Sequence, residues 1–175
     1  MRISGGTLRG RTVKVPDTDL VRPTQDRVRE ALFSMLQAVV PGARVLDLFA
    51  GSGSLGIEAL SRGAKSAVFV EQNPKHARIL SNNLKTLGLS ARVVVADAFK
   101  FSGNGETFDL VFADPPYALA EERGLEELMA TMPLEPGGIF VAETGAAPSI
   151  LPSPFSLLKE REYGKTKITI WRKPE

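Results

Sequence analysis

Cysteine is absent from the 175 residues, and histidine occurs once. The first absence excludes a disulfide framework and thiolate metal sites, and the second leaves little for a zinc centre, so no metal is expected. No apolar run approaches the roughly 18 residues of a membrane span. The opening MRISGGTLRGR lacks the apolar block of a secretory signal, which points to a cytoplasmic protein with no membrane partner. Linkers, internal repeats and low-complexity tracts are missing as well. A single domain over 1–175 is expected, with a basic arm at 1–22, a leading helix at 23–40 and a core at 44–175.

Hydrophobic residues make up 43% and charged residues 24%, close to ordinary globular usage, which excludes disordered, collagen-like and coiled-coil classes. The net charge of +2 is unevenly spread. Residues 1–30 carry seven basic and four acidic groups, and residues 159–175 carry six and three, while the middle has nine against thirteen. Basic ends flanking an acidic body suit an anionic partner that docks on the terminal segments.

RVLDLF (44–49) runs into AGSGSLG and then into a helical pattern stopped by Gly63. SAVFV (66–70) ends at Glu71, and Pro74 opens a segment whose Ala77, Leu80, Leu84 and Leu87 share one helical face before Gly88. Further apolar runs at 92–96, 108–113 and 138–142 end at or near Asp97, Asp114 and Glu143. Strands alternating with helices predict an α/β fold with a parallel sheet covered on both faces. Residues 155–172 alternate around Gly164 and predict a closing antiparallel hairpin. Thr24 is placed to cap a helix with Val28, Leu32, Met35, Leu36 and Val39 in one stripe. ISGGTLRGRTVKV ahead of it predicts a small hairpin or arm.

Gly51-Ser52-Gly53-Ser54-Leu55-Gly56 fits the nucleotide-binding pattern G-x-G-x-x-G between strand and helix, with Glu71 twenty residues after Gly51. Glycines let the backbone approach a ligand, and a carboxylate at the next strand's end suits ribose hydroxyls. NAD and S-adenosylmethionine both meet that logic. Asp47 and Asp97 decide between them: the first suits a cationic ammonium or sulfonium and the second an adenine amine, whereas both would repel a dinucleotide pyrophosphate. Asp47, Ala50, Gly51, Gly53, Glu71, Asp97 and Ala98 are the candidate cofactor residues.

The fourth apolar run ends in Asp114-Pro115-Pro116-Tyr117. Two prolines remove two amide donors and fix the backbone, leaving a carboxylate and carbonyls as acceptors. Such a turn suits an exocyclic nucleobase amine, whose hydrogens the Asp114 carboxylate and Pro115 carbonyl hold while its nitrogen faces a methyl donor. Tyr117 offers a stacking face worth roughly 1–3 kcal/mol to an unstacked base. Asp114, Pro115, Pro116 and Tyr117 are the candidate catalytic residues.

DLFAGSGSLGIEALSRGA, the DPPY turn and Arg22-Pro23-Thr24-Gln25-Asp26-Arg27-Val28-Arg29-Glu30 together resemble the RsmD family of bacterial 16S ribosomal RNA guanine-N2 methyltransferases. The resemblance spans nearly the whole chain. It implies a Rossmann-like, mostly parallel seven-stranded sheet and S-adenosyl-L-methionine as cofactor. It further implies Gly51 and Gly53 along that cofactor, Glu71 on its ribose, Asp97 and Ala98 beside its adenine, and Asp114 to Tyr117 on the target base. The partner it implies is 16S rRNA or a small-subunit particle, met by a monomer. Tyr117 stands where Phe is also common, which preserves stacking.

Two alternatives remain at this stage: an adenine-N6 or cytosine-N4 methyltransferase acting on DNA or RNA, and a non-catalytic RNA-binding assembly factor. Arg2, Arg9, Arg11, Lys14 and Arg22 are candidates for RNA phosphate contact. The individual roles of Arg22, Arg27 and Arg29 stay open: an arginine at this helix start suits a cofactor carboxylate, RNA or Glu30. His76 is expected on the surface, and Tyr163 and Trp171 in packing.

Overall fold

A computed structural model of the chain describes residues 1–17, 23–116, 118, 124–145 and 154–175. Seven strands form one sheet: β1 (Arg44–Leu48), β2 (Ser66–Glu71), β3 (Arg92–Val95), β4 (Phe108–Ala113), β5 (Leu134–Gly145), β6 (Ser156–Tyr163) and β7 (Thr166–Arg172). Their spatial order is β3-β2-β1-β4-β5-β7-β6. The first five are mutually parallel, and β7 runs antiparallel between β5 and β6. The order reverses between β1 and β4, and that reversal opens a crevice at their carboxyl ends, the usual ligand position in such sheets.

The strands β1, β2, β4 and β5 are mostly apolar along their parallel stretches because both faces are covered. On one face Val45, Phe69, Leu110, Phe112 and Val141 pack against α1 (Pro23–Met35), α2 (Ser54–Ser61), α3 (Pro74–Leu87) and the arm's Ile3 and Val13. On the other, Leu46, Val68, Val111 and Phe140 meet Phe99, Phe101, Trp171 and the helix α4 (Leu125–Thr131). Trp171 stacks on Phe140 with ring centroids 5.5 Å apart. α3 carries its expected stops: Asn73 accepts the Lys75 N–H at one end, and Gly88 takes the left-handed conformation (φ 69) at the other.

Three expectations change. α1 begins at Pro23, so position 24 lies inside the helix and not at its cap; proline suits a first helical position because its missing N–H would have had no partner there. The helix also stops at Met35, and Leu36 to Val40 continue as hydrogen-bonded turns. β5 outruns its apolar stretch at both ends, because Phe108 pairs with Leu134 below and β7 pairs with Glu143, Thr144 and Gly145 above. The arm makes one antiparallel bridge, Arg2 to Thr12. The outer strand β6 exposes Lys159, Arg161 and Glu162, charges that discourage pairing with another sheet. No helix among the described residues is long and apolar enough to cross a membrane.

Candidate active site

A cleft of about 620 Å³ opens at the carboxyl ends of β1, β2 and β3, and Phe49, Gly51, Glu71, His76, Ala98 and Pro116 are among its lining residues. The chain leaves β1 in a corner that few residues tolerate: Phe49 has φ 59 and Gly51 φ 56. A side chain at Gly51 would meet nothing within 4 Å, so the bare backbone there faces open space. Its N–H donates to Glu71 Oε2 at 2.7 Å, and the Asn73 N–H donates to Glu71 Oε1 at 2.8 Å. Glu71 thereby ties the glycine loop to the turn after β2 and still shows a carboxylate edge to the cleft. The Phe49 ring stands edge-on to Phe99 with centroids 5.7 Å apart and stiffens the opposite wall.

The glycines divide their work. A methyl at Gly53 would lie 2.3 Å from Leu80 Cδ1, and one at Gly56 would lie 2.3 Å from Phe69 Cε1. Both therefore let α2 seat against strand and helix, and only Gly51 lines the cleft. Gly53, expected along the cofactor, is placed in this packing role and is not among the residues lining the cleft. Ala50 is also buried, with its N–H on the Val70 carbonyl at 3.0 Å.

Asp47 is 2% exposed beneath the loop, and its Oδ2 accepts the Gly56 N–H at 2.9 Å. Burial pushes its carboxyl up to about 8, Glu71's charge adds to the rise, and the Gly56 bond opposes it. In this structure the carboxyl is turned into the protein, where it holds the loop through Gly56. Asp97 accepts the Phe99 N–H at 3.0 Å and so caps the short turn 98–100, while Ala96 and Ala98 on either side of it line the cleft.

β4 lies beside β1, with Leu48 paired to Ala113 although 65 positions separate them in sequence, so the Asp-Pro-Pro turn returns to the glycine loop. Asp114 is exposed at the strand's end, Pro115 is buried beneath it, and Pro116 stands on the cleft wall. Tyr117 lies outside the described residues, as does Arg22. His76, read from sequence as a surface residue, is half-buried and lines the cleft from the first turn of α3.

Arg2, Arg9, Arg11 and Lys14 are all exposed on the arm. What fixes the arm is a group that sequence reasoning missed. Glu58, wholly buried on α2, accepts the Ser4 N–H (3.0 Å), the Ser4 hydroxyl (2.7 Å) and the Gly5 N–H (2.9 Å), and it pairs with Arg62 (2.9 Å) and Arg29 (3.3 Å). These donors hold its carboxyl below the usual range against the opposing effect of burial. Arg29 is therefore a buried clamp: it also pairs with Asp26 at 3.0 Å and donates to the Arg2 carbonyl at 2.7 Å. A lone acid in the otherwise apolar GIEAL, four residues before Arg62, was the available signal.

Comparison with known proteins adds identity to geometry. Residues 1–172 match the family model described as conserved hypothetical protein 95. The chain is 39% identical over 183 residues to the ribosomal RNA small subunit methyltransferase D of Escherichia coli K12, covering 99% of this chain and 90% of that one. A solved structure of a hypothetical protein from Thermus thermophilus superposes with TM-score 0.83 at 37% identity, over 97% of this chain and 98% of its own. A solved structure complexed with SAH shares the fold alone: TM-score 0.67, 16% identity, 87% of this chain and 50% of that one.

Proposed function

The chain belongs to the conserved hypothetical protein 95 family, the RsmD family, and from that premise we propose that it methylates the exocyclic N2 amine of a guanine in 16S rRNA with S-adenosylmethionine as donor. The observation that carries the reading is one cleft walled on one side by Gly51 and Glu71 and on the other by Pro116. Bare backbone at Gly51, a carboxylate at Glu71 and the small residues Ala96 and Ala98 fit a nucleoside. Glu71 would hold the ribose hydroxyls, and the two alanines would border the adenine. When bound, the cofactor supplies an electrophilic methyl group on a cationic sulfur.

The chain's own residues do the rest. Asp114 and the Pro115 carbonyl accept the two hydrogens of the target amine, which turns the nitrogen's lone pair out of conjugation with the ring. Pro115 and Pro116 offer no N–H to compete for the carboxylate. Tyr117 stacks the extruded base, and Asp114 receives the proton that the amine sheds as its new bond forms. Positioning supplies most of the acceleration. Arg2, Arg9, Arg11, Lys14 and Arg22 hold phosphates along the RNA, and the chain acts as a monomer.

The test is incubation with labelled S-adenosylmethionine and either naked 16S RNA or small subunits from cells lacking the activity, followed by mapping of the modified base. Label on one guanine N2 is expected. Label only in DNA, or on another base, overturns the substrate. Asp114→Ala should abolish transfer while RNA affinity stays near wild type; activity retained in that variant would remove the carboxylate from the mechanism.

A further inference from the structure

Between the arm and the glycine loop stands one buried amide. Asn83 on α3 is 5% exposed, and all its polar capacity is directed at two distant backbones. Its Oδ1 accepts the Lys14 N–H at 3.0 Å. Its Nδ2 donates to the Lys14 carbonyl at 2.9 Å and to the Ser52 carbonyl at 3.1 Å. Bonding both backbone groups of one residue imitates a strand partner, so Lys14 is fixed in orientation as well as position. Ser52 follows Gly51, whose backbone walls the cleft. A single planar group thus connects the segment bearing Arg9, Arg11 and Lys14 to the peptide beside the cofactor position.

Few side chains can do this. Aspartate has the acceptor but no donor, leucine has neither, and glutamine sets its amide one methylene farther out. An apolar residue would leave the Lys14 N–H and two carbonyls without this partner. The arm also grips α2 through Glu58, so the loop-and-helix unit is held on both sides by the same segment. Movement of Lys14 is thereby passed to Ser52 through one side chain.

We propose that Asn83 is a positioning residue that couples RNA on the basic arm to the shape of the glycine loop, so that RNA and the nucleoside cofactor strengthen each other's binding. The proposal rests on the functional reading above. By linkage the strengthening is the same whichever ligand binds first.

Calorimetry of S-adenosylhomocysteine with and without unmethylated small subunits tests it. In wild type, saturating subunits should tighten the nucleoside about tenfold, within the usual range of such couplings. In Asn83→Ala and Asn83→Asp, each ligand alone should bind within about twofold of wild type, while the mutual enhancement falls below about twofold. Asn83→Asp is the sharper variant, since it keeps the acceptor for the Lys14 N–H and loses both donated bonds. Enhancement that persists in both variants overturns the coupling. So does a loss of nucleoside binding by a folded variant without RNA, which would make Asn83 a mere prop of the loop. Wild type that methylates subunits without tightening the nucleoside overturns the coupling alone; wild type that neither binds nor methylates them overturns the functional reading as well.

Discussion

Two carboxyl groups are buried beside α2, one under the glycine loop and one under the arm, and they titrate in opposite directions. Burial pushes Asp47 up, Glu71's charge adds to the rise, and the single N–H it receives does not offset them. Glu58 receives three donors from Ser4 and Gly5 and two guanidinium groups, so its charge survives complete burial. Depth does not set the charge of a buried acid; the supply of donors does. The arm is held by ionic bonds that fail abruptly when a partner is removed. The loop is held by shape, single hydrogen bonds and glycines that fit under neighbours.

The sharpest break in that contrast is Glu58→Ala. It removes the buried charge that pairs with Arg29 and Arg62, and a loss of about 3–5 kcal/mol is expected in denaturant unfolding. The Ser4 and Gly5 amides should lose their protection from hydrogen exchange; amides that stay protected would mean the arm is held by something else. Next is Gly56→Ala. Its new methyl would sit 2.3 Å from the Phe69 ring, and about 1–3 kcal/mol of stability should go. A neutral outcome would show that α2 can shift, contrary to a loop held by shape.

The third effect is a slope. Asp47's folded value lies near 8 and its ordinary value at 3.8, so the folded state holds a proton that the unfolded state has released between those limits. Its contribution to stability therefore falls as pH rises from about 4 to about 8 and is flat above. Asp47→Asn has nothing to titrate, so melts across that range should show the variant gaining on wild type with each unit. Glu58 runs the other way: its stabilisation is present above its ordinary value of 4.5 and is lost as pH falls below it. Parallel curves for Asp47→Asn and wild type would refute the protonated state. The smallest effect is Arg11→Ala, whose exposed guanidinium donates to the Thr86 carbonyl at 3.2 Å. Stability should change by less than about 0.5 kcal/mol, whereas the salt dependence of RNA affinity should lose about one unit of slope.

The sheet and the cleft were legible because their signals are local. Apolar runs, the glycine spacing and Asp-Pro-Pro each lie within a few residues, and the alternation of elements brought the loop and the turn to one edge. The arm's anchors were not legible. Ser4 and Glu58 are 54 positions apart, and Lys14 and Asn83 are 69 apart, so no window of sequence contains both partners. The burial of Asp47 was hidden for a related reason. Its place before the glycines was evident, but whether its carboxyl meets solvent or the N–H of Gly56 depends on how α2 packs back over the strand. Arg29 was left between a cofactor carboxylate, RNA and Glu30, because its actual partners Asp26 and Glu58 lie a turn away and across the fold.

Phe49 carries a last consequence. A bulky residue held in left-handed backbone costs on the order of 1–2 kcal/mol, and glycine at that position would relieve it. The same substitution would strip away the ring's packing on Phe99 and the core, so no net gain in heat resistance is expected, and the retained strain marks a wall kept stiff where a nucleoside would rest.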